Sequence, residues 1–475
     1  MDKTLSELYG ERISEDWCER VAYSRDLGEI PAVLRSALKI ENVPDLVARP
    51  SNARDVAAAM EYAKAGGVPV TPRGSASSGF FNAVPVKKGL CLDLCGLDQI
   101  EDVDQEAGTV TVGAGCRWLP LDRHLRRQGW AVRTYPTSAP TATVGGWINM
   151  EGYGVGSLAY SALIDQVVGM EVVFASGEIR WITPDSTPPT TWFAGSDGTL
   201  GVVTKVTLRI RRVPESEKHW LVSFADSDAL GRAAVELASG YAGPYNMSFL
   251  HSSYFDLQRR MGHAAPDGDV LAVDYEDSAE AVAEGRQRVA EAAARHGGTI
   301  LPDRLAEAEW EQRFRHLSLK RLGPSVLAAE DWIGPDRLGE YQAAVARLGR
   351  RLKTSFYTYG TIVGTQRMSV FTGYLTDRRK PLSYLIALSV TCRLHEIAGR
   401  LGGRPLGVGL WNTPYLPGIY SPEELTELRR RKKFLDPAGL LNPGKHYEWP
   451  ALLSPGLFSL GANMGSLLQR FASGQ

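Results

Sequence analysis

The chain has 475 residues, enough for two or more domains that each bury a substantial core. Its 53 Lys and Arg balance 54 Asp and Glu, which leaves no basic footprint for a nucleic-acid backbone and excludes nucleic acid as an expected partner. Five cysteines are few and odd in number for this length, a usage that fits a reducing compartment better than a disulfide scaffold, so the expected location is cytoplasmic.

The opening "MDKTLSELYGERISEDWCER" is polar and has none of the apolar core of a signal peptide. No run approaches the roughly 20 apolar residues that cross a bilayer, so no membrane span is expected. "SNARDVAAAMEYAKAGG" predicts a capped helix with a Gly-Gly stop, and "VPV" a strand after it. Next comes "TPRGSASSGF" (71–80), small residues beside one arginine, a pattern that suits either a plain loop or backbone N–H groups converging on an anion. In a P-loop or a dinucleotide-binding βαβ unit a helix follows at once. Here "FFNAVPVKKG" and the strand "LCLDL" follow instead, which excludes both. Cys91 and Cys95 alternate as on a strand with no second Cys or His pair nearby, so they read as strand side chains rather than metal ligands.

Further on lie the strand-like "GTVTVGAG", the helical "WLPLDRHLRRQG" and a second small-residue stretch, "YPTSAPTATVGGWINMEGYGVGS". The strands "DQVVGMEVVFASG" and "EIRWI" lead to a third, "FAGSDGTLGVVTKVTLRI". Three glycine-rich turns flanked by strands in one region let the backbone approach a large ligand at several points.

Together, "PRGSASSG", "TATVGGW", "GSDGTLGVVT" and "FLDPAGLLNPGK", in that order, resemble the FAD-linked oxidases of the vanillyl-alcohol oxidase and p-cresol methylhydroxylase type, nearest the glycolate oxidase and D-lactate dehydrogenase branch. "AYSRD" and "PDLVARPSNARDV" near the start fit it too. The resemblance implies an α+β chain with a two-part FAD-binding domain and an α+β cap. The expected boundaries are 1–214 for the FAD domain, 215–424 for the cap, 425–450 for the segment completing the FAD domain, and 451–475 for an apolar tail. It also implies that Pro72, Arg73, Gly74, Ser75, Ala76, Ser77 and Ser78 wrap the FAD pyrophosphate through N–H groups and hydroxyls. Pro136, Thr137, Ser138, Thr143, Val144, Gly145 and Gly146 would line the flavin and its ribityl chain. Val202, Val203 and Thr204 would meet the adenosine part through main-chain groups, and Asn442 and Lys445 would close over the isoalloxazine end. Asp165 sits where the family has an aspartate; a turn or cap role is the alternative. Covalent members carry a histidine in the first loop or a cysteine before the second. These positions read "PRGSASS" and "YPTSAPTATVGG" here, so the expected FAD is non-covalent.

From 215 to 425, helices such as "DSAEAVAEGRQRVAEAAARHGG" and "DRLGEYQAAVARLGRRL" alternate with strands such as "SEKHWLVSF", "DVLAVDY" and "RMSVFTGYL", as in a sheet covered by helices. "AEWEQRFRHL" resembles the family segment with a tryptophan three residues ahead of an arginine that anchors a substrate carboxylate, which points to Arg313, the alternative being a solvated arginine on a helix face. Tyr359 is the second catalytic candidate. The histidine and Glu-His motifs of the metal-dependent branch are not visible at "YGTIVGTQRMSVF" and "GGRPLGVGLWNTPY", so no metal is expected. Of the eight histidines, His251, His316, His395 and His446 each read as a surface or packed residue before a base. Tyr359, Trp411, Tyr415 and Tyr420 read as an aromatic wall or as core.

The resemblance implies an FAD-dependent oxidoreductase that oxidises a small hydroxy-substituted substrate, a 2-hydroxy acid or related alcohol, by hydride transfer to flavin N5. The first alternative is a flavin-carrying electron-transfer subunit of a larger redox complex, with an iron-sulfur or other acceptor subunit as partner. An alkylglycerone-phosphate-synthase-like flavoenzyme ranks last. The tail "ALLSPGLFSLGANMGSLLQRFASGQ" is expected to dock as an amphipathic helix on a partner subunit or on a second copy in a homo-oligomer, the alternative being that it packs on its own domain.

Overall fold

The computed structural model describes residues 3–28, 35–36, 40–240 and 243–446; the tail 451–475 lies outside them. The chain divides into two units. Among the described residues, the first is assembled from those up to 153, from 162–213 and from 407–446; the second holds 154–161 and 214–406.

The first unit carries two sheets. Strands β1 (Ile13–Ser14), β2 (Leu46–Ala48), β3 (Val70–Arg73) and β4 (Leu90–Asp93) form one, in the order β1-β2-β4-β3. β4 runs parallel to both β2 and β3, and β1 pairs antiparallel at the edge. Parallel strands need a crossover, and helix Ala53–Gly66 supplies it. Asn52 caps that helix by accepting from the Asp55 N–H at 3.0 Å. Gly67 closes it at φ 61°, a left-handed conformation that glycine adopts without steric cost. Val56, Ala59, Met60 and Ala63 recur at helical spacing and bury against Val70, Leu90 and Leu92 of the sheet.

Two local readings shift. The strand expected at 68–70 begins only at Val70, because the Val68 N–H still bonds Ala63 O at 2.8 Å as part of the helix end. Cys91 lies on β4, but Cys95 lies in the 3-10 turn Leu94–Gly96, where its N–H donates to the Asp93 carboxylate at 3.0 Å.

The second sheet of this unit contains β5 (Ile100–Asp104), β6 (Thr109–Gly113), β8 (Val167–Val173), β9 (Ile179–Ile182) and β10 (Val202–Arg212), ordered β5-β6-β10-β8-β9. β7 (Trp130–Val132) pairs with the far end of β10.

The second unit is built on one eight-stranded sheet: β11 (Ser216–Phe224), β12 (Asn246–Leu250), β13 (Asp269–Asp277), β14 (Thr299–Ile300), β15 (Ser325–Ile333), β16 (Tyr357–Gly364), β17 (Arg367–Thr376) and β18 (Arg404–Pro405). Their order is β14-β11-β13-β12-β16-β17-β15-β18. Because side chains alternate along a strand, the sheet has two chemically different faces. One presents Val222, Phe224, Met247, Phe249, Leu271, Val273, Ala329 and Ile333, buried under helices Ser227–Ala238, Ala279–His296, Leu338–Leu352 and Pro381–Arg400. The other is only partly covered, by helices Ser252–Arg260 and Asp303–Gln312 and the 3-10 segment His316–Leu322. The cross-strand register sets two rows on that face. One runs Glu330, Phe371, Tyr359, Leu250, Val270, and the next runs Trp332, Ser369, Thr361, Ser248, Ala272.

Candidate active site

In the first unit, β3 ends at Arg73 and releases the chain into a half-buried loop, residues 72–80. Among the described residues, the main-chain N–H groups of Ser75, Ala76, Ser77, Ser78 and Gly79 donate to no protein acceptor. A run of five main-chain N–H groups with no protein acceptor, in a loop turned at Ala76, is an arrangement that suits an anion. Ala76 at φ 52° turns the loop, and Ser78 Oγ donates to Asn82 Oδ1 at 2.6 Å. Arg73 does not point its charge into the loop as a lone donor. Its guanidinium lies 5.2 Å from the Tyr23 ring centre and donates to Ala83 O at 3.0 Å and Tyr23 O at 3.3 Å, which pins both ends of the loop.

The second loop lies directly against the first. A Cβ on Gly74 would stand 2.3 Å from Thr143 Oγ1, so any side chain there would force Thr143 to shift. Thr143 in turn caps the short helix Val144–Ile148, accepting from the Gly146 N–H at 3.3 Å. The Val144 and Gly145 N–H groups return to Cys116 O and Ala114 O. Pro136, Thr137 and Ser138 form the turn that precedes it, with the Ala139 N–H on Pro136 O at 2.9 Å. β10 pairs with β8 from Val202 but with β6 only from Lys205. One edge of Val202, Val203 and Thr204 is therefore outside the ladder, apart from Thr204 O, which accepts from the Ala114 N–H. Pro72 packs near Gly198, where an added Cβ would meet it at 3.4 Å. Asp165 is a turn residue, accepting from the Ala162 N–H at 3.2 Å.

Asn442 and Lys445 sit behind the first loop, both buried. Lys445 Nζ donates to Asn82 O at 2.7 Å and to Asn442 Oδ1 at 2.6 Å. Asn442 Nδ2 donates to Asn82 O and to Asp197 O. Asp197, buried at φ 53°, accepts from Asn82 Nδ2 and the Gly409 N–H and lies 3.0 Å from His446 Nδ1. Asn82 and Asp197 were not singled out by the sequence reading, whereas His446, read there as a surface or packed residue, is buried against Asp197. The readable trace was "SDG", an aspartate inside a glycine turn, where a side chain tolerates positive φ. Burial pushes the Lys445 amine down to about 7, against the pull of Asp26 and Asp197. Burial likewise pushes Asp26 up to about 6. One Asp26 oxygen accepts from the Gly28 N–H at 2.8 Å, and the other is buried without a partner.

In the second unit, Tyr359 stacks on Phe371 with ring centres 4.8 Å apart and planes 19° apart. The His316 ring is 4.8 Å away and Tyr254 5.6 Å. Burial pushes the Tyr359 phenol well above its ordinary value, so it remains a hydrogen-bond donor. Arg313 follows helix Asp303–Gln312, its guanidinium 3.9 Å from Trp310 and 4.4 Å from Phe314, donating to Trp310 O. Trp310 stacks on His219 of β11 at 4.4 Å. That strand is three places from β16, roughly 14 Å at ordinary strand spacing. Arg313 and Tyr359 thus belong to one face but to separate contact sets. Trp411, Tyr415 and Tyr420 belong to the first unit, where Trp411 meets Phe81 edge-on at 5.4 Å.

Glu330 also escaped the sequence reading. Its trace was Glu-Asp inside the apolar run "VLAAEDWI", which places one carboxylate on each face of a strand. Asp331 takes the helix-covered face and meets His395 Nδ1 at 2.6 Å. Glu330 takes the open face. Among the described residues, no group of three His, Cys, Asp or Glu side chains is placed to hold a metal ion, and no helix is long and apolar enough to cross a membrane.

Comparison with known proteins fits this geometry. Residues 44–183 match the FAD binding domain model, and residues 213–446 match the C-terminal domain of FAD linked oxidases. The glycolate oxidase subunit GlcD of Bacillus subtilis (strain 168) is 26% identical over 425 residues, covering 86% of this chain and 90% of its own. D-lactate dehydrogenase of Archaeoglobus fulgidus is 25% identical over 416 residues, covering 84% and 90%. In fold, p-cresol methylhydroxylase with substrate bound superposes with a TM-score of 0.78 at 15% identity, over 94% of this chain and 96% of that one. The chain belongs to the FAD-linked oxidases, an FAD-dependent oxidoreductase with the α+β fold of the p-cresol methylhydroxylase type.

Proposed function

We propose that this chain oxidises a small hydroxy-substituted substrate, a 2-hydroxy acid or related alcohol. The observation that carries the cofactor part is the row of unpaired N–H groups from Ser75 to Gly79. They suit a pyrophosphate, which needs several donors at once and little side-chain charge. In this reading the first unit holds FAD, with Pro72–Ser78 at the pyrophosphate, Pro136–Ser138 and Thr143–Gly146 along the flavin, and Val202–Thr204 at the adenosine. Asn442 and Lys445 act from behind, fixing Asn82 and Asp197 so that the loop keeps its shape. FAD supplies the hydride acceptor when bound. The loops 72–78 and 136–146 hold no histidine or cysteine, which favours non-covalent attachment.

The substrate falls to the open sheet face of the second unit. Tyr359 donates a hydrogen bond from a phenol kept protonated by burial. Arg313, held by Trp310 and Phe314 in a separate contact set on the same face, is too far from Tyr359 to hold the carboxylate of the same small substrate. The names of the relatives, a glycolate oxidase subunit and a D-lactate dehydrogenase, support a hydroxy acid. The word subunit in the first supports a separate protein as electron acceptor, and the five cysteines, which form no disulfide, support a cytoplasmic location.

The test is an anaerobic absorbance titration of the holoenzyme with 2-hydroxy acids, sugars and aromatic alcohols, with denaturation to release the flavin. Bleaching of the oxidised band by a hydroxy acid or alcohol, with FAD in the supernatant, is expected. A flavin that no hydroxy compound reduces overturns the substrate reading in favour of an electron-transfer subunit; flavin that stays with the denatured chain overturns non-covalent attachment.

A further inference from the structure

We propose that the outer face of helix Pro422–Leu435 is an interface on which two copies of this chain meet antiparallel about a two-fold axis. The helix belongs wholly to the first unit, and the inference does not depend on which substrate is oxidised. Ser421 and Glu424 start it with a capping box, Ser421 Oγ accepting from the Glu424 N–H at 3.1 Å and Glu424 from the Ser421 N–H at 2.8 Å. Its inner side is fixed to the unit. Leu425 and Leu435 are buried, Lys432 Nζ donates to Thr199 O at 2.9 Å and Leu441 O at 2.8 Å, and the Arg431 guanidinium lies 4.6 Å from the Trp192 ring.

The outer side carries Glu423, Glu427, Arg430 and Phe434, spaced four, three and four residues apart, so that they form one stripe along the helix. This is the spacing of a seam between two packed helices. Phe434 is 67% exposed, the most exposed large hydrophobic side chain among the described residues. A single exposed ring is ordinary on a protein surface. The charge pattern around it names the occupant.

The first half of the helix holds Glu423, Glu424 and Glu427 and no cation, and the second half holds Arg429, Arg430, Arg431, Lys432 and Lys433 and no anion. The helix dipole favours that order in the end turns but leaves the outer charges in water. Glu423 and Arg429, both exposed, make no hydrogen bond or ion pair with any described residue. Arg430 holds Glu427 at 2.7 Å within its own helix, yet its side chain is still 71% exposed and open to a second carboxylate. A surface with ends of opposite sign complements a copy of itself turned end for end. With the axis between Thr426 and Glu427, Glu423 of each copy comes against Arg430 of the other. Phe434 of each then leaves water over the segment that precedes the other helix, where Ile419 and Tyr420 are half-buried. Because the contact is isologous, each of these pairs forms twice. The helix has 14 residues and is about 21 Å long, so one such pair covers less than the roughly 800 Å² per partner of a standard interface. The dimer should therefore be a weak one, dissociating at about 1–100 µM.

The experiment is sedimentation equilibrium of the holoenzyme from about 1 to 200 µM, a range that brackets that constant. Wild type should pass from monomer to dimer, and salt at about 0.5 M should weaken the dimer by screening its charges. Phe434→Asp should raise the dissociation constant at least about 30-fold. Glu423→Lys and Arg430→Glu should each stay monomeric alone, because like charges then meet at both ends. An equimolar mixture of the two should recover the dimer, because opposite charges meet at both ends again. That recovery also shows that both variants are folded, and each should keep its flavin. Single variants that dimerise as wild type does overturn the proposal, and so does a mixture that stays monomeric. A wild-type holoenzyme that is monomeric throughout overturns it as well; if that monomer binds vesicles of anionic phospholipid and Phe434→Asp abolishes the binding, the face belongs to a membrane surface.

Discussion

Gly74 and Thr143 form a pair in which one residue fixes the other. Alanine at 74 would place its Cβ 2.3 Å from Thr143 Oγ1, and a β-branched side chain can escape only by changing its χ1 rotamer. That rotation removes the cap from helix Val144–Ile148, so Gly74→Ala should destabilise the protein by about 1–2 kcal/mol. The cost should shrink in a Thr143→Ala background, where the cap is already lost, giving a coupling of about 0.5–1 kcal/mol in a urea-unfolding double-mutant cycle. Additive losses would mean that the two loops do not constrain each other. The need for glycine in this loop was legible in "PRGSASSG"; its partner 69 residues away was not, because nothing local in the sequence reports a tertiary contact.

The segment Asn442–His446 shows what a short element can hold together when its polar groups are buried. Removing the Asp197 carboxylate leaves Asn82 Nδ2, the Gly409 N–H and His446 without their acceptor, so Asp197→Ala should cost roughly 3–5 kcal/mol by calorimetry or urea unfolding. The same cluster predicts a pH dependence. Asp26, raised to about 6 from 3.8, contributes stability present below pH 4 that is lost as pH rises through 6. Lys445, lowered to about 7 from 10.5, contributes stability that is lost as pH falls through 7, and so strengthens the fold from pH 7 upward. Above pH 9 the buried thiols Cys91, Cys95 and Cys116, pushed up to about 12, oppose that gain. Stability should therefore dip near pH 6–7, with Asp26→Asn flattening the acid side of the dip and Lys445→Met the alkaline side; a dip unchanged in both variants would place its origin elsewhere. The sequence reading reached Asn442 and Lys445 through their glycine-turn motif but could not see that they face main-chain carbonyls. Helices and strands were readable where apolar spacing is regular, as in 53–66 and 216–224. Glu330 was not, because an acidic residue on a strand resembles a solvated one until the register of its neighbours is known.

The chain's division into two units has a thermodynamic consequence, because the loop proposed to hold the cofactor and the open sheet face are carried by different cores. Each unit buries its own apolar clusters, so each can unfold as its own cooperative transition. FAD bound to the native first unit but not to its unfolded form stabilises that unit by RT ln(1 + [L]/Kd), about 2.7 kcal/mol at a hundredfold excess over Kd. For a domain of this size that is a shift of roughly 5–10 °C. Differential scanning calorimetry of the apoprotein should therefore show two transitions, with FAD raising one of them in proportion to log [FAD]. Asp197→Ala should lower the same transition that FAD raises, since its side chain stands behind that loop, whereas Glu330→Gln should leave that transition where it is. If FAD moved both transitions together, the units would be coupled strongly enough to unfold as one. If it moved only the transition that Asp197→Ala leaves untouched, the loop between Ser75 and Gly79 would not be the flavin site.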